Sequence, residues 1–211
     1  MKNSTYLIIL LALGLLFTSY KWILSSSAPV EETVRKSTID DIMSRCSVRS
    51  YSDKEIGAEQ LDTLLRAAMA APTAGNKQPW RFVVINEKEK LQYIGDNFKS
   101  MSMAKEAPLA VIMCGDTTAT FPGEGRDYWV QDVSAASENL LLAAHAIGLG
   151  AVWCGIYPQS DRVKDFSKML KLPDNILPLA CICVGYPEGE TTPKDKWKPE
   201  NIYYNSWGKN K

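Results

Sequence analysis

The longest helical pattern of the chain, residues 127–150, constrains the fold more than any other stretch. Apolar side chains recur there at steps of three and four residues, which is the spacing of one face of a helix. These positions are Val133, Ala136, Leu140, Ala143 and Ile147. Because several of these side chains are small and allow close packing, we expect a central, buried helix that Gly148 and Gly150 end.

Shorter patterns on both sides of this segment alternate between helix and strand. Helices are predicted at 38–46, 57–71, 88–98 and 160–170, and strands at 80–86, 108–116, 151–157 and 176–187. Interspersed helices and strands indicate an α+β or α/β class. The loop from residue 117 to about residue 128 is long enough to serve as a lid. The tail after residue 187 lacks helical periodicity and is predicted to be an extended arm.

The N-terminus differs from the rest of the chain. Residues 6–17 are uncharged and mostly apolar, and a stretch of small residues follows. This pattern predicts a signal peptide or membrane anchor over residues 1–28, a linker over 29–37 and one domain over 38–211. The protein is accordingly expected to be membrane-anchored or exported, and the charges flanking the run do not fix its orientation.

Composition and missing motifs exclude several classes of function. Lys and Arg together number 24, as do Asp and Glu, so the chain lacks the basic excess of a nucleic-acid-binding protein. The single histidine, His145, lies inside the helical pattern, and the five cysteines lack metal-binding or redox spacing. Zinc and acyl-transfer motifs are missing too, so no metal site is predicted.

One short segment, "SRCSVRSY" at residues 44–51, has the side chains of an anion site. On an extended backbone Arg45, Ser47 and Arg49 face the same way. Two guanidinium groups and a hydroxyl suit the oxygens of a phosphate. The alternative interpretation is the solvated, frayed end of a helix.

Three further stretches contain groups that could bind a ligand. In "APTAGNKQPWRF" (71–82), the amides of Asn76 and Gln78 suit the edge of a heterocycle, although both could instead cap the backbone of a structural loop. In "GAVWCGIYP" (150–158), Gly155 exposes backbone N–H groups to close approach. In the tail, Lys194 and Lys196 are basic, and alone they would be read as a solvated end.

In this order, the four stretches resemble motifs of the FMN-dependent nitroreductase family. "RCSVRSY" is similar to its R-x-S-x-R/K-x-Y/F motif, and "PTAGNKQPWRF" to its P-[ST]-x-x-N-x-Q-P-W-x-F loop. Residues 131–158 resemble its central helix and following strand, and residues 185–207 its C-terminal ending, with Lys196 where the family often has Arg. The resemblance covers residues 38–207.

The resemblance implies a role for each candidate residue. It implies that Arg45, Ser47, Lys194 and Lys196 bind the phosphate side of FMN, and that Arg49 faces N1 and O2 of the isoalloxazine and tunes the ring. Asn76 and Gln78 would meet the ring edge, and a backbone N–H at Gly155 or Ile156 would approach N5. Pro72 and Thr73 would contact flavin at a dimer interface.

The resemblance also implies a fold and an activity. The fold is an α/β/α sandwich of the α+β class, with a mainly antiparallel sheet, an extended C-terminal arm and a homodimeric assembly. The activity is ping-pong hydride transfer from NADH or NADPH through FMN to a small-molecule electron acceptor, a nitroaromatic or a quinone. Two alternatives stay open: reductive dehalogenation on the same fold, and a membrane-tethered module that binds flavin without turnover.

Overall fold

The computed structural model describes residues 20–21 and 37–208. The chain divides into two units, residues 1–37 and 38–211. Of the first unit only Tyr20, Lys21 and Ser37 are described. The sheet and the helices that position the candidate site belong to the second unit.

Four strands form one antiparallel sheet in the order β1-β2-β4-β3. They are β1 (Trp80–Ile85), β2 (Leu109–Asp116), β3 (Gly150–Gly155) and β4 (Ile176–Gly185). The helices are α1 (Thr38–Ser44), α2 (Ala58–Met69), α3 (Lys88–Asn97), α4 (Tyr128–Ala146) and α5 (Ser160–Leu170). Short 3-10 turns lie at Ala74–Asn76, Lys99–Lys105, Gly123–Asp127 and Pro199–Asn201. The predicted helices and strands are confirmed, while the turn at 99–105 was not predicted.

Both faces of the sheet are covered by helices. Side chains of a strand point alternately to opposite faces, and in β2 Ile112 belongs to one core and Val111 to the other. Ile94 of α3 and Phe166 of α5 pack in the first core, and Leu64 of α2 packs in the second. Because both faces are buried, β2 is continuously apolar from Leu109 to Cys114 rather than alternating. The α+β class and the three-layer arrangement are confirmed.

Helix α4 lies against the sheet as the sequence predicts. Val133, Ala136 and Leu140 are fully buried in the second core. The same core contains Trp129, whose ring covers Gly115 of β2 so closely that a Cβ there would lie 2.2 Å from it. The helix is therefore fixed in position and can serve as a support for the loops around it.

The cysteines behave as buried apolar residues. All five are free thiols, and all but Cys46 are buried. One core of the sheet contains the four buried cysteines, Cys114, Cys154, Cys181 and Cys183. Cys181 and Cys183 point to the same face because they are two residues apart on β4. Burial raises the pKa of Cys114 to about 12, so this thiol stays protonated and unreactive at neutral pH.

The prediction of a signal peptide or membrane anchor, and with it of a membrane-anchored or exported protein, has to be corrected. A membrane-spanning helix needs about 20 predominantly apolar residues. Over residues 20–21 and 37–208, no helix is both long and apolar enough to cross a membrane. The segment predicted to be the signal peptide or anchor, residues 1–28, lies outside the described residues except for Tyr20 and Lys21.

A substitution at the start of β3 tests the packing of the fold. A Cβ on Gly150 would lie 2.7 Å from three carbon atoms of Val48, so Gly150→Ala should lower the free energy of unfolding by about 1–3 kcal/mol. Urea unfolding of the ligand-free chain measures this change. Gly155→Ala is the matched control, because nothing lies within 4 Å of its Cβ position. Equal stability of the two variants would contradict the packing described for Val48.

Candidate functional site

The arginine-rich segment 45–49 runs beside strand β3. Ser47 forms a parallel bridge with Ala151, and the N–H of Val48 donates to the carbonyl of Ala151 at 3.1 Å. Val48 is buried, whereas Ser47 and Arg49 are exposed, because alternate side chains of an extended segment point to opposite faces. The segment therefore turns Ser47 and Arg49 away from the core.

The chain that follows β4 returns along this segment. Tyr51 and Pro187 form an antiparallel bridge, and the N–H of Glu188 donates to the carbonyl of Ser50 at 3.0 Å. The hydroxyl of Tyr51 lies 3.1 Å from the carbonyl of Cys183 in β4, which ties the segment to the sheet. These contacts bring the tail to residues 45–49.

The two segments enclose a cavity of about 230 Å³. Its lining residues are Arg45, Cys46, Ser47, Arg49, Thr192, Lys194 and Lys196. Glu138 of α4 orients Arg45, because Oε1 of Glu138 accepts from Nε of Arg45 at 3.2 Å. The side chain of Arg45 is only 18% exposed. Four cationic side chains thus meet around one cavity, and this arrangement suits the oxygens of a phosphate group.

The loop at residues 73–78 has an unusual backbone. Gly75, Asn76 and Gln78 have φ angles of 55°, 54° and 49°, in the left-handed region that residues other than glycine adopt rarely. The loop is braced internally, because the N–H of Gln78 donates to Oγ1 of Thr73 at 3.2 Å. The side-chain amide of Gln78 also donates to Oδ1 of Asn76 at 2.9 Å. Strained loops of this kind are common at ligand sites.

Helix α4 holds this loop through a buried carboxylate. Oδ1 of Asp132 accepts from the N–H of Ala74 at 2.8 Å, and Asp132 is only 5% exposed. Its second oxygen, Oδ2, is buried and has no hydrogen-bond partner among the described residues. A buried carboxylate oxygen without a hydrogen bond lowers the free energy of unfolding. Asp132 therefore holds the loop in this conformation at a cost in stability.

The predicted lid packs onto the same loop. The ring of Phe121 lies over Gly75, where a Cβ would be 2.6 Å from it, and against Gly125. Nζ of Lys77 lies 5.1 Å from the ring centroid of Phe121, and Tyr128 meets that ring edge-on at 6.2 Å. The two loops therefore form one packed unit.

The end of strand β3 is open. Gly155 is exposed, its φ is ordinary, and nothing lies within 4 Å of the position that a Cβ would take. The N–H of Ile156 donates to the carbonyl of Leu179 at 2.9 Å, so this group is already engaged. The protein's own packing does not require glycine at position 155, and the free space lies above the backbone.

The guanidinium of Arg49 acts electrostatically on Cys154, next to this strand end. The pKa of the Cys154 thiol is raised well above its ordinary value, chiefly because it is hydrogen-bonded to Cys183 and because it is buried. The guanidinium charges of Arg49 and Arg162 oppose that increase. Both cations therefore lie within electrostatic reach of the residue that precedes Gly155.

The structure brings some of the predicted site residues together and leaves others apart. Those that line the cavity are Arg45, Ser47, Arg49, Lys194 and Lys196. Those that do not line it are Pro72, Thr73, Asn76, Gln78, Gly155 and Ile156. The sequence analysis missed Thr192, Glu138 and Asp132. Of these three, only Asp132 had a signal in the sequence, because its carboxylate lies directly beside the apolar stripe of α4.

Comparisons with known proteins place the chain in a family. The sequence model described as "Nitroreductase family" matches residues 42–117 and 95–186. A protein of Methanothermobacter thermautotrophicus named "Putative NADH dehydrogenase/NAD(P)H nitroreductase" is 39% identical over 170 residues, which cover 80% of this chain and 87% of that protein. The crystal structure of a Parabacteroides distasonis protein of the same name has 42% identity and a TM-score of 0.77, and the match covers 81% of this chain and 98% of that one.

More distant relatives have other names. An "FMN reductase (NADPH)" of Bacillus subtilis is 26% identical over 183 residues, which cover 79% of this chain and 72% of that protein. An "Iodotyrosine deiodinase" of Haliscomenobacter hydrossis is 28% identical over 186 residues, which cover 72% of this chain and 82% of that protein. The family model and the two more similar proteins agree with the resemblance seen in the sequence, and the chain belongs to the nitroreductase family.

Proposed function

We propose that this chain is an FMN-dependent oxidoreductase that transfers electrons from NADH or NADPH to a small-molecule acceptor, a nitroaromatic or a quinone. The observation that carries the proposal is the cavity at which four cations from two distant segments meet. The names of the relatives agree with it, since one is a nitroreductase and another an FMN reductase. The domain that performs this reaction is residues 38–211.

The residues around the cavity suit the phosphate end of FMN. Arg45 and Ser47 supply a guanidinium and a hydroxyl from one side, and Lys194 and Lys196 supply ammonium groups from the other. Lysine interacts with phosphate as a point charge, so a lysine at 196 serves as well as the arginine common in the family. Because Arg45 is already oriented by Glu138, it loses little freedom when it binds an anion.

The direction of β3 relates the cavity to the proposed position of the ring. Ser47 lies beside Ala151 at the start of β3, and Gly155 is four residues further along. At about 3.3 Å per residue, the two ends are about 13 Å apart, a distance of the same order as the length of an FMN molecule. A ring over Gly155 would occupy the open space where no protein atom lies within 4 Å, and the N–H of Gly155 is our candidate partner for N5.

Arg49 has a separate role in this proposal. When bound, FMN would supply the redox chemistry, which is acceptance of a hydride from NADH or NADPH and delivery of two electrons to the acceptor. The added negative charge is stabilised by a fixed guanidinium near N1 and O2. The exposed side chain of Arg49, which lies within electrostatic reach of Cys154 near the end of β3, can supply this charge without a histidine or cysteine nucleophile.

We further propose that a homodimer completes the site. The residues expected to meet the ring edge and interface, Pro72, Thr73, Asn76 and Gln78, do not line the cavity. Large apolar side chains are exposed on α1 and the tail, with Met43 at 74%, Trp197 at 72% and Trp207 at 85% exposure. Aromatic side chains exposed to this degree are typical of surfaces that another chain covers. A second copy would bury them and bring its 72–78 loop to the flavin.

Reductive dehalogenation is the second candidate function. The similarity to an iodotyrosine deiodinase favours it, and the segment 117–128 that packs on the 73–78 loop is expected to decide the acceptor. Steady-state rates with nitroaromatic, quinone and halotyrosine acceptors distinguish the two candidates. A preference for halotyrosine would replace the first candidate by the second.

The visible spectrum of the purified chain tests the proposed function directly. We expect the protein supplied with FMN to show flavin absorbance that bleaches under anaerobic conditions when NADH or NADPH is added. A colourless protein that takes up no FMN would contradict the proposal. Uptake of FMN without bleaching would instead support the non-catalytic, flavin-binding alternative.

Two arginine variants test the division of roles. Arg45→Ala removes a phosphate partner and should weaken FMN binding about tenfold, the effect of one hydrogen bond to a charged group. Arg49→Ala should slow flavin reduction about tenfold at saturating FMN and change the affinity less. Fluorescence titration and stopped-flow reduction measure the two quantities. Arg66→Ala, on the exposed face of α2, is the control, and equal effects of the two site variants on both quantities would refute the division.

Gly155 provides a test that separates ligand binding from folding. Gly155→Val should leave the unfolding free energy of the ligand-free chain within about 0.5 kcal/mol, because position 155 is exposed and nothing lies within 4 Å of the Cβ that would be added. It should reduce FMN binding or flavin reduction by about tenfold or more, because it fills the space proposed for the ring. Gly155→Ala should have a smaller effect. Normal flavin reduction in Gly155→Val would mean that the ring lies elsewhere.

A further inference from the structure

Arg162 forms a specific contact with the open end of β3. It lies in the first turn of α5, and its Nη1 donates to the carbonyl of Gly155 at 2.8 Å. Among the described residues, no carboxylate forms an ion pair with it. The contact with Gly155 is therefore the one polar interaction of this guanidinium with the described part of the chain.

The local electrostatics of α5 do not explain a cation at this position. The N-terminus of a helix carries a partial positive charge, so a cation in the first turn is unfavourable by about 0.3–1 kcal/mol. The rest of α5 follows the usual rule, with Asp161 in its first turn and Lys168 in its last. Arg162 departs from that rule, which points to a role outside the helix.

The charge of Arg162 acts on the strand end that the proposed function assigns to flavin N5. It opposes the increase in the pKa of Cys154, as the charge of Arg49 does. The two cations come from different elements, Arg49 from the segment beside β3 and Arg162 from α5. Both therefore add positive potential to the end of β3.

We propose that Arg162 is a positioning residue of the flavin site, which fixes the carbonyl of Gly155 and adds positive charge beside the ring. The inference rests on the proposed function. The hydrogen bond immobilises the peptide between Gly155 and Ile156, so the backbone that flanks N5 is ordered before ligand binds. The charge favours the reduced ring, which carries the negative charge delivered with the hydride of NAD(P)H.

The test compares three variants of the full chain loaded with FMN. Arg162→Ala should lower the midpoint potential of the bound flavin and slow its reduction by NADH or NADPH about tenfold, the effect of one hydrogen bond to a charged group. Arg162→Lys retains the charge without the planar fork, so it should keep most of the potential and show an intermediate rate. Lys164→Ala, which removes an exposed charge from the same helix, should change neither quantity.

A second measurement needs no cofactor. In the FMN-free chain, Arg162→Ala should speed amide hydrogen exchange at residues 155–157, and Lys164→Ala should not. An unchanged potential and unchanged exchange in Arg162→Ala would overturn the inference while leaving the proposed function intact. Failure of the wild-type chain to bind FMN would refute the proposed function, and the part of the inference that concerns the ring would fail with it. The exchange result would still decide whether Arg162 orders the strand end.

Discussion

The burial of helix α4 against the sheet is the constraint on which the rest of the site depends. Its apolar stripe fixes the helix on the second core, and its other faces then hold distant parts of the chain. Asp132 binds the backbone of the 73–78 loop, Glu138 orients Arg45, and Asn139 donates to the carbonyl of Ala67 in α2. A rigid support of this kind matters because the candidate site consists almost entirely of loops and tail, which order poorly without tertiary contacts. One helix thus holds the 73–78 loop, Arg45 and helix α2 in fixed positions.

The side chains around the cavity are mainly cationic, which suits the binding of an anion. Cations gather around the cavity, while every thiol except that of Cys46 lies in the core, where burial raises the pKa of Cys114 and hydrogen bonding and burial raise that of Cys154. His145 contacts Ser44 at 2.8 Å and lies 4.0 Å from Asp41 through the same ring nitrogen. A catalytic triad needs the carboxylate at the other nitrogen, so these three residues cannot act as one. This division fits a protein whose reactive atom is supplied by a cofactor.

Much of the fold could be predicted because local patterns and tertiary packing agree. The period of α4, the apolar run of β2 and the helix that ends before Pro72 each specify one element. The candidate site was predictable only in part. Arg45, Ser47 and Arg49 are close in sequence, but Lys194 reaches them through the pairing of residues 50–52 with 186–188, which no local pattern encodes. Asp132 contacts the backbone of a remote loop and Arg162 contacts the backbone at the end of β3, and backbone partners leave no trace in side-chain spacing. The hydrophobic N-terminal run shows the opposite error, since composition alone suggested an anchor that no described helix supports.

Several residues that break local rules lie at the 73–78 loop and at the end of β3. Asn76 and Gln78 have left-handed backbone angles, Asp132 keeps a buried oxygen without a partner, and Arg162 places a cation at a helix N-terminus. Gly155 has no packing reason to be glycine. Left-handed backbone angles also occur at Lys171 and Asn205, outside these two places. Natural sequences tolerate such conflicts mainly where function requires them. The departures at the 73–78 loop and the end of β3 therefore agree with the contacts proposed for the flavin ring, and the cations of the cavity agree with the position proposed for the phosphate.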